Sequence, residues 1–323
     1  MPGDSAGVTR WGVELPVIQA GMGGGISDHR LASAVSEAGG LGTIAVPGAA
    51  PIAAEIASAR QLTGRPIAVN LLLPFARRSW FAAASEADVV VTFWGRPRRR
   101  TPRTWLHQAG SVAEAAAAQA AGADGVIVQG VQAGGHVRGT MPAFDLLERV
   151  RARLPDGYPL LVAGGIAEPA DVRDALEAGA CAAVAGTRFL LSEESRAHPA
   201  YKERLIDAEE TVLSDLFGAG WPAQHRVVTN AATEHWLGTD GRAPRLNRAL
   251  NQVLGAGARF VPPRIQGRLA AAQRPASRML GPTPPTDSGP ENLVEAGPLY
   301  AGETVRRIGE VRPAAELVRA LTP

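Results

Sequence analysis

Residues 160–190 read LLVAGGIAEPADVRDALEAGACAAVAGTRFL, and this stretch decides the fold. It contains two short apolar runs, Leu160–Ala163 and Ala182–Ala185, whose length is typical of buried parallel strands. The segment Glu168–Ala178 between them has a helical pattern and stops at Gly179. The stretch therefore predicts a strand–helix–strand unit whose two strands run parallel.

The same alternation extends back to the start of the chain. The eight predicted strands are Pro16–Met22, Leu41–Val46, Pro66–Leu73, Val89–Trp94, Thr104–Ala109, Gly125–Gln129, Leu160–Ala163 and Ala182–Ala185. Helix-like segments separate most of them, for example Asp28–Ala38, Ala50–Leu62, and Val112–Ala121 with Ser111 as its N-cap. Eight such units in about 190 residues predict an α/β fold, the (β/α)₈ TIM barrel.

An open doubly wound sheet is the alternative to a barrel. It would normally have one glycine-rich turn, after its first strand. In this sequence such turns follow the first, sixth, seventh and eighth predicted strands. This distribution favours a closed barrel, because all eight strand ends then share one rim.

The alternation stops after Thr187, and this predicts the domain organisation. Residues 1–190 would carry the barrel strands and the ligand site, and a C-terminal helix within 303–323 would complete the barrel. Residues 191–302 would form a helical cap or extension. In that region Phe189–Leu216 and Arg242–Leu280 have helical patterns, and Gly281–Pro290 is a proline- and glycine-rich loop.

One connection between strands is irregular. From Phe93 to Leu106 the chain reads FWGRPRRRTPRTWL, and its two prolines forbid a regular helix. We interpret it as an abbreviated crossover on which five arginines form a solvated loop. A nucleic-acid or anion patch is the competing interpretation, which the isolation of the run disfavours.

Composition excludes several classes of function. The formal net charge of +2 is too small to indicate a nucleic-acid partner. The single cysteine, Cys181, excludes an intrachain disulfide and a multi-cysteine metal site, and we interpret it as a small buried hydrophobe. The sequence contains neither a secretory signal nor an apolar stretch of about 18 residues, so we expect a cytoplasmic protein that makes no membrane contact.

Two of the segments that could carry chemistry follow early strands. Residues 19–25 read QAGMGGG, and their glycines would let the backbone approach a flat or anionic ligand, although a flexible turn has the same composition. Asn70 lies within the third predicted strand, directly after the run Pro66-Ile67-Ala68-Val69. Its buried amide needs partners, which either a ligand or neighbouring backbone could supply.

The third segment, residues 129–136, reads QGVQAGGH. It carries His136 at the end of a glycine-rich loop, where an imidazole can serve as an acid, a base or a cation beside an anionic substrate. A structural histidine satisfied by loop backbone is the alternative, but the setting at a barrel rim favours function. The other five histidines lack this setting.

The fourth segment is a pair of turns, Gly164-Gly165 after the seventh strand and Gly186-Thr187 after the eighth. Loops at these two places in barrels commonly bind phosphate through backbone N–H groups. The pair therefore indicates a phosphorylated ligand, which could be FMN or a phosphosugar.

Together these pieces resemble the nitronate monooxygenase family. The matching segments are Pro16–Gly25, Ser36–Ile44, Val69–Leu71, Gln129–Gly139, Leu161–Ile166, Ala185–Ser195, Ser195–Lys202 and Leu299–Glu303. The chain departs from the family pattern at Gln132, where the family often has Glu, and in the shortened 94–105 segment. A carboxylate lost near His136 would lower the basicity of its imidazole.

The resemblance implies an FMN-dependent oxidoreductase with His136 as the catalytic residue. The phosphate would rest on Gly164, Gly165, Gly186 and Thr187, and Asn70 and Gln129 would bind the ring or ribityl chain. The complete cofactor-binding set implied is Ala20, Gly21, Met22, Gly23, Asn70, Gln129, Gly134, Gly135, Gly164, Gly165, Ala185, Gly186 and Thr187.

By the same resemblance, the enzyme would oxidise an alkyl nitronate or nitroalkane with O₂ to a carbonyl compound and nitrite. The resemblance is compatible with a homodimer of this chain. An FMN-dependent NAD(P)H reductase, of the enoyl-ACP reductase or NADH:quinone reductase type, shares several of the same motifs and is the main alternative. A flavin-free barrel that binds a phosphorylated ligand is the second alternative.

Overall fold

The computed structural model describes residues 6–258 and 263–323. Its strands there are β1 (Val17–Gln19), β2 (Gly42–Ile44), β3 (Ile67–Leu72), β4 (Val89–Phe93), β5 (Thr104–Ala109), β6 (Gly125–Gln129), β7 (Gly135–His136), β8 (Leu160–Ala163), β9 (Ala182–Ala185), β10 (Val212–Ser214), β11 (His225–Val228) and β12 (Leu299–Tyr300).

The α-helices among these residues are α1 (Ala6–Thr9), α2 (His29–Glu37), α3 (Ala49–Leu62), α4 (Arg78–Ala84), α5 (Val112–Ala120), α6 (Ala143–Arg153), α7 (Pro169–Glu177), α8 (Thr187–Leu190), α9 (Pro199–Ile206), α10 (Ala231–Trp236), α11 (Arg245–Ala258), α12 (Pro263–Ala272), α13 (Leu293–Ala296) and α14 (Ala314–Leu321). A 3₁₀ helix covers Glu303–Arg307.

Eight of the strands form a closed parallel barrel. Their order around the sheet is β1-β9-β8-β6-β5-β4-β3-β2, and every pairing is parallel. A parallel bridge between Ile18 and Leu41 joins the two ends of this order, and the Gln19 N–H donates to the Leu41 carbonyl at 3.0 Å. The TIM-barrel prediction is confirmed, and all eight predicted strands occur.

The barrel strands are buried on both faces, which explains their nearly continuous apolar sequences. In β6, Val126 and Val128 pack outward against α6, whereas Ile127 belongs to the cluster inside the barrel. The inner cluster also contains Ile18, Ala68, Val91, Leu106, Leu161 and Val184. This layer closes the barrel interior below the rim, so a ligand can bind only at an end.

The crossover between β4 and β5 contains no helix, as its prolines predict. Its arginines are exposed; they are Arg96, Arg98, Arg99, Arg100 and Arg103. Arg99 forms an ion pair with Asp124 at 2.8 Å, and Arg103 donates to the Ser85 carbonyl at 2.7 Å. The arginine-rich segment is thus a solvated loop that is fixed to its neighbours.

The extension departs from the helical prediction. Residues 189–216 contain α9, but the segment then enters β10 in a four-stranded antiparallel sheet. Strand β11 is central: it pairs with β10, with β12 and with β7. Each of these strands is only two to four residues long, and cross-strand pairing between distant segments overrides the local helical pattern. Helices α11 and α12 agree with the prediction for Arg242–Leu280, of which residues 259–262 lie outside the described part.

Candidate active site

The carboxyl ends of the barrel strands carry the segments with candidate functional residues. Ala20 follows β1, and its N–H donates to the Ala185 carbonyl at 2.9 Å. A Cβ added to Gly186 would lie 3.7 Å from the Ala20 side chain. The turns after β1 and β9 are therefore neighbours at one rim.

The turn after β8 requires its two glycines. Gly164 and Gly165 have φ values of +102° and +86°, a region that favours glycine. A Cβ on Gly164 would also lie 3.2 Å from the Ala133 nitrogen. The glycine-rich loop after β6 thus packs directly against the turn after β8.

Thr187 is the first residue of α8 and is buried. Its hydroxyl accepts the Gly302 N–H at 2.9 Å, so the hydroxyl proton remains available to an acceptor at the rim. Gly302 also lies beside Gly134, where a Cβ would come within 2.5 Å of the Gly302 nitrogen. The C-terminal part of the chain therefore packs against two of the predicted binding turns.

Asn70 and the loop after β1 are in close contact. A Cβ on Gly21 would lie 2.4 Å from the Asn70 Cβ, so only glycine fits at this position. The Asn70 Oδ1 is buried and has no hydrogen-bond partner among the described residues. At Gly23 an added Cβ would meet no atom within 4 Å, which leaves space beside half-buried Met22.

Gln129 fixes the loop that carries His136. Its Nε2 donates to the His136 carbonyl at 3.0 Å, and its Oε1 accepts the Arg138 N–H at 2.9 Å. The side-chain amide is therefore engaged at both ends by loop backbone. In the same loop Gly135 has φ +72°, and an added Cβ there would face open space.

Gln132, the departure from the family pattern, is bonded to the start of a helix. Its Oε1 accepts the Ala143 N–H at 3.1 Å, at the first residue of α6. This bond satisfies one of the free N–H groups at the helix N-terminus. Gln132 thus has a structural partner of its own.

The His136 ring lies between the barrel and the antiparallel sheet. Its imidazole stacks on Trp221, with ring centres 3.7 Å apart and planes 19° apart. Tyr300 and His225 lie at 5.4 Å and 5.6 Å from the ring centre. The Nε2 atom is buried without a partner among the described residues. Burial, and secondly His225, hold the pKa of His136 well below 6.5, so the imidazole is neutral.

His225 is a second buried histidine beside the first. Its Nε2 accepts the Phe217 N–H at 3.2 Å, so its Nδ1 carries the proton and donates to the Ala223 carbonyl at 3.0 Å. Burial lowers the pKa of His225 to about 4. In the β7–β11 ladder His225 pairs directly with His136, which fixes their relative position.

An aromatic cluster extends from Trp221, the ring that stacks on His136. Trp221 makes edge contacts with Phe75 at 5.5 Å and with Trp94 at 5.2 Å. Trp94 follows β4, so these rings extend from the β6 side of the rim to the β3 and β4 side. The Arg138 guanidinium lies 4.7 Å from the Trp94 ring centre.

Three residues around His136 are not marked as functional by the sequence patterns: Trp221, Tyr300 and His225. Trp221 and His225 lie in the extension, where no predicted barrel strand precedes them; Gly218 and Gly220 before Trp221 were the only local signal. Trp94 could have been found, because it is the last residue of a predicted strand. Tyr300 belongs to the Leu299–Glu303 segment, whose resemblance to the family was the only available signal.

The described residues give little support to metal-dependent or cysteine-based catalysis. No group of three or more His, Cys, Asp or Glu side chains there is arranged to hold a metal ion. Cys181 is buried, and burial raises the pKa of its thiol to about 12, as suits a structural cysteine. Across residues 6–258 and 263–323, no helix has the length and apolarity needed to span a bilayer.

Comparison with known proteins agrees with this geometry. The sequence profile of the family described as nitronate monooxygenase matches residues 8–92 and 101–323, and so leaves out only residues 93–100 within that span. A nitronate monooxygenase of Pseudomonas aeruginosa is 36% identical, over 60% of this chain and 71% of the relative.

Two solved structures are similar over nearly their whole length. FabK from Thermotoga maritima has a TM-score of 0.76 at 27% identity and covers 97% of this chain and 94% of its own. The nitroalkane oxidase from Streptomyces ansochromogenes has a TM-score of 0.73 at 28% identity and covers 98% and 96%. The profile match and these relatives establish that the chain belongs to the nitronate monooxygenase family and is an oxidoreductase of that type.

Proposed function

We propose that the protein is an FMN-dependent nitronate monooxygenase, which uses O₂ to convert alkyl nitronates to carbonyl compounds and nitrite. The observation that carries the proposal is the Nε2 of His136. It is buried without a hydrogen-bond partner among the described residues, and it lies at the end of the glycine-rich loop on the rim formed by the β1, β6, β8 and β9 turns. Buried polar atoms are rarely left without partners, so this atom is suited to a substrate.

The rim residues fit FMN. The backbone N–H groups of Gly164, Gly165 and Gly186, with the Thr187 hydroxyl, would hold its phosphate. The unpartnered Asn70 Oδ1 would accept a hydrogen bond from the ring system. Open space at Gly23 and Gly135 would admit a flat group. The remaining binding residues, Ala20, Gly21, Met22, Gly134 and Ala185, would contribute backbone or surface.

Bound FMN would supply the redox chemistry, taking electrons from the substrate and passing them to O₂. His136 would remove the α-proton of a neutral nitroalkane, or would hydrogen-bond the oxygen of a nitronate. Gln129 would keep the His136 backbone in place through its bond to the carbonyl. The aromatic cluster around Trp221 would limit the access of water.

An FMN-dependent NAD(P)H reductase is the second candidate, and the similarity to FabK favours it. The two functions share the fold and the rim residues. They differ in the electron donor, which is the organic substrate in one and a nicotinamide in the other.

The deciding experiment is anaerobic mixing. The purified protein, supplied with FMN, would be mixed with propyl-2-nitronate and, separately, with NADH or NADPH, while the flavin absorbance is recorded. We expect bleaching by the nitronate, and nitrite once air is admitted. Bleaching by the nicotinamides alone would move the function to the reductases, and a colourless protein that fails to bind added FMN would overturn both.

The remaining features of this proposal concern partners and location. The proposed partners are a nitronate or nitroalkane and O₂. We propose neither a nucleic acid nor a membrane as a partner. We propose that the enzyme acts in the cytoplasm. Size-exclusion chromatography with light scattering would establish whether it is a homodimer.

A further inference from the structure

We propose that Trp94 binds the substrate: its indole N–H donates a hydrogen bond to an oxygen atom of the nitronate group. The identity of that group rests on the proposed function. The assignment of the indole N–H to an acceptor atom of the substrate rests on Trp94 itself, through its backbone conformation, its N–H group and its surroundings.

The backbone of Trp94 has a conformation that a bulky side chain rarely adopts. Its φ is +63°, and every other described residue with a positive φ is a glycine. This region is strained for a residue with a large side chain, and such strain persists where the surrounding structure or the function requires it. A glycine at position 94 would turn the chain without this cost, so the indole must itself provide a benefit.

The indole N–H of Trp94 lacks a partner. Its Nε1 atom is buried and makes no hydrogen bond with the described residues. By contrast, the Trp105 N–H donates to the Thr92 hydroxyl at 2.8 Å. The Trp236 N–H donates to the Pro275 carbonyl at 2.9 Å. An indole N–H can only donate, so the missing partner of Trp94 must bring an acceptor atom.

The position of Trp94 in the barrel places this donor on the His136 side of the mouth. Its ring makes an edge contact with Trp221 at 5.2 Å, and Trp221 stacks on the His136 imidazole at 3.7 Å. Strand β4, which precedes Trp94, is four positions away from β9 in the ring of eight strands. The donor is therefore remote from the turn at β9 that we propose for the phosphate, and it lies where a substrate would contact His136.

The charge beside the indole favours an anionic acceptor. The Arg138 guanidinium lies 4.7 Å from the Trp94 ring centre. The Glu114 carboxylate pairs with Arg138 from the first turn of α5 and offsets part of its charge. The N–H itself is uncharged and does not titrate, so it donates to an anionic oxygen at any working pH.

Trp94 also lies outside the part of the chain that the family shares. It belongs to residues 93–100, which the family profile leaves out, whereas the turns proposed for FMN lie in matched segments. The N–H is therefore a feature of this chain, added to a common cofactor site. We expect it to set the affinity for the substrate and to leave cofactor binding unchanged.

The first test observes the indole N–H groups of the six tryptophans by NMR, in ¹⁵N-tryptophan-labelled protein supplied with FMN. Trp94→Phe, which keeps an aromatic ring, identifies the Trp94 signal. The probe is isobutyrate, a redox-inert carboxylate that resembles propyl-2-nitronate in shape. The Trp94 proton should move downfield as it gains an acceptor. The protons of Trp105 and Trp236, which already have acceptors, should not move.

A Trp94 signal that stays unchanged would overturn the proposal, whether isobutyrate fails to bind or binds without this contact.

The second test is the affinity for isobutyrate, measured from the change in flavin absorbance. Trp94→Phe should weaken binding about tenfold or more, because a hydrogen bond to a charged acceptor is lost while the ring remains. Trp80→Phe is the matched control, since that indole is on α4, outside the site. FMN affinity should be unchanged in both variants. A loss of FMN affinity in Trp94→Phe, with isobutyrate binding intact, would assign the N–H to the flavin and overturn the proposal.

Steady-state kinetics separate this inference from the proposed function. With propyl-2-nitronate, Trp94→Phe should raise KM about tenfold and change kcat little, since the N–H binds the ground state and the transition state alike. A lower kcat at unchanged KM would contradict a binding role. A wild type that does not oxidise the nitronate would overturn the proposed function and the identity of the oxygen. The isobutyrate titrations would still test the N–H, because they involve no reaction.

Discussion

At the residue scale, two buried atoms mark the place where a ligand would supply missing hydrogen-bond partners. The Nε2 of His136 and the Oδ1 of Asn70 are both buried without partners among the described residues. An unmade buried hydrogen bond costs about 1–3 kcal/mol, so such atoms persist where a ligand later binds them. For Asn70 this disfavours the alternative that neighbouring backbone satisfies the whole amide.

Replacing His136 by Asn should remove the base and retain the flavin. We expect flavin reduction by a neutral nitroalkane to slow about 10²- to 10⁴-fold, with a smaller loss for the preformed nitronate. Stopped-flow absorbance under anaerobic conditions measures both rates. The control is His235→Asn, an exposed histidine on α10 that should behave as wild type. Equal losses for the two substrate forms would contradict a role in proton removal.

The limits of sequence reasoning are clearest among the residues around His136. His136 could be found because glycines and a strand precede it within a few positions. Trp221 and Tyr300 contact it only because a sheet brings distant segments together, and no predicted strand places either of them near the rim. Gln129 could be found because it ends a predicted strand. Its side-chain amide forms hydrogen bonds with the loop backbone, and the spacing of residues in the sequence cannot predict these bonds.

At the scale of the elements, the barrel strands could be predicted and the small sheet could not. A barrel strand such as β6 is buried on both faces and reads as a continuous apolar run. Strands β7 and β12 are two residues long, too short for any period to be visible. Their existence depends on β11, whose partners are far away in sequence.

The turn between β9 and α8 offers a test of the cofactor site. Gly186 has φ −104°, and an added Cβ would meet only Ala20 at 3.7 Å, so alanine is tolerated by the protein itself. Gly186→Ala should change the free energy of unfolding by less than about 0.5 kcal/mol. It should nevertheless weaken FMN binding about tenfold or more, because the methyl group would occupy the space of the phosphate.

Fluorescence titration of the apoprotein with FMN measures this effect. Gly64→Ala is the matched control, since an added Cβ there has no neighbour within 4 Å and the residue is exposed. Unchanged FMN affinity in Gly186→Ala would place the phosphate elsewhere.

The last helix, α14, belongs to the barrel layer. It packs against α2 and α7, and Leu317 is buried in the same cluster as Leu31 and Val35 of α2. Leu317→Ala should therefore lower the free energy of unfolding by about 2–5 kcal/mol. Urea denaturation measures it, with the exposed Arg319→Ala as control. A loss below about 1 kcal/mol would show that the barrel does not depend on this helix.

At the scale of the whole molecule, buried histidines make stability depend on pH. Burial lowers the pKa of both His107 and His225 from 6.5 to about 4. Between these values the unfolded chain binds protons that the folded protein does not, so stability falls as the pH falls from about 6.5 to about 4. Above about pH 7.5 both histidines are neutral in either state and contribute almost no slope.

At pH 5 each of these histidines should lower the free energy of unfolding by about 2 kcal/mol relative to pH 7.5. Urea unfolding at the two pH values measures the difference. In His107→Asn the difference should shrink by about 2 kcal/mol, even if the substitution destabilises the protein at both pH values. An undiminished difference in this variant would mean that His107 is not buried as neutral imidazole.

The division into a barrel and an extension over residues 191–302 stays a prediction. Limited proteolysis would test whether the two parts separate. The packing of Gly302 against Thr187 and Gly134 indicates that the site needs both the barrel and the C-terminal part of the chain.

The pairing of β7 with β11 also sets an order of events during synthesis. A nascent chain that has reached Ala185 possesses all eight barrel strands, yet the partner of His136 is still about 40 residues away from being made. Strand β12 arrives later still, at Leu299–Tyr300. Contacts of such long sequence separation form slowly, since a large loop must close first. All the barrel strands are therefore synthesised before the segments that complete the site around His136. Catalytic activity is among the last properties that the chain acquires.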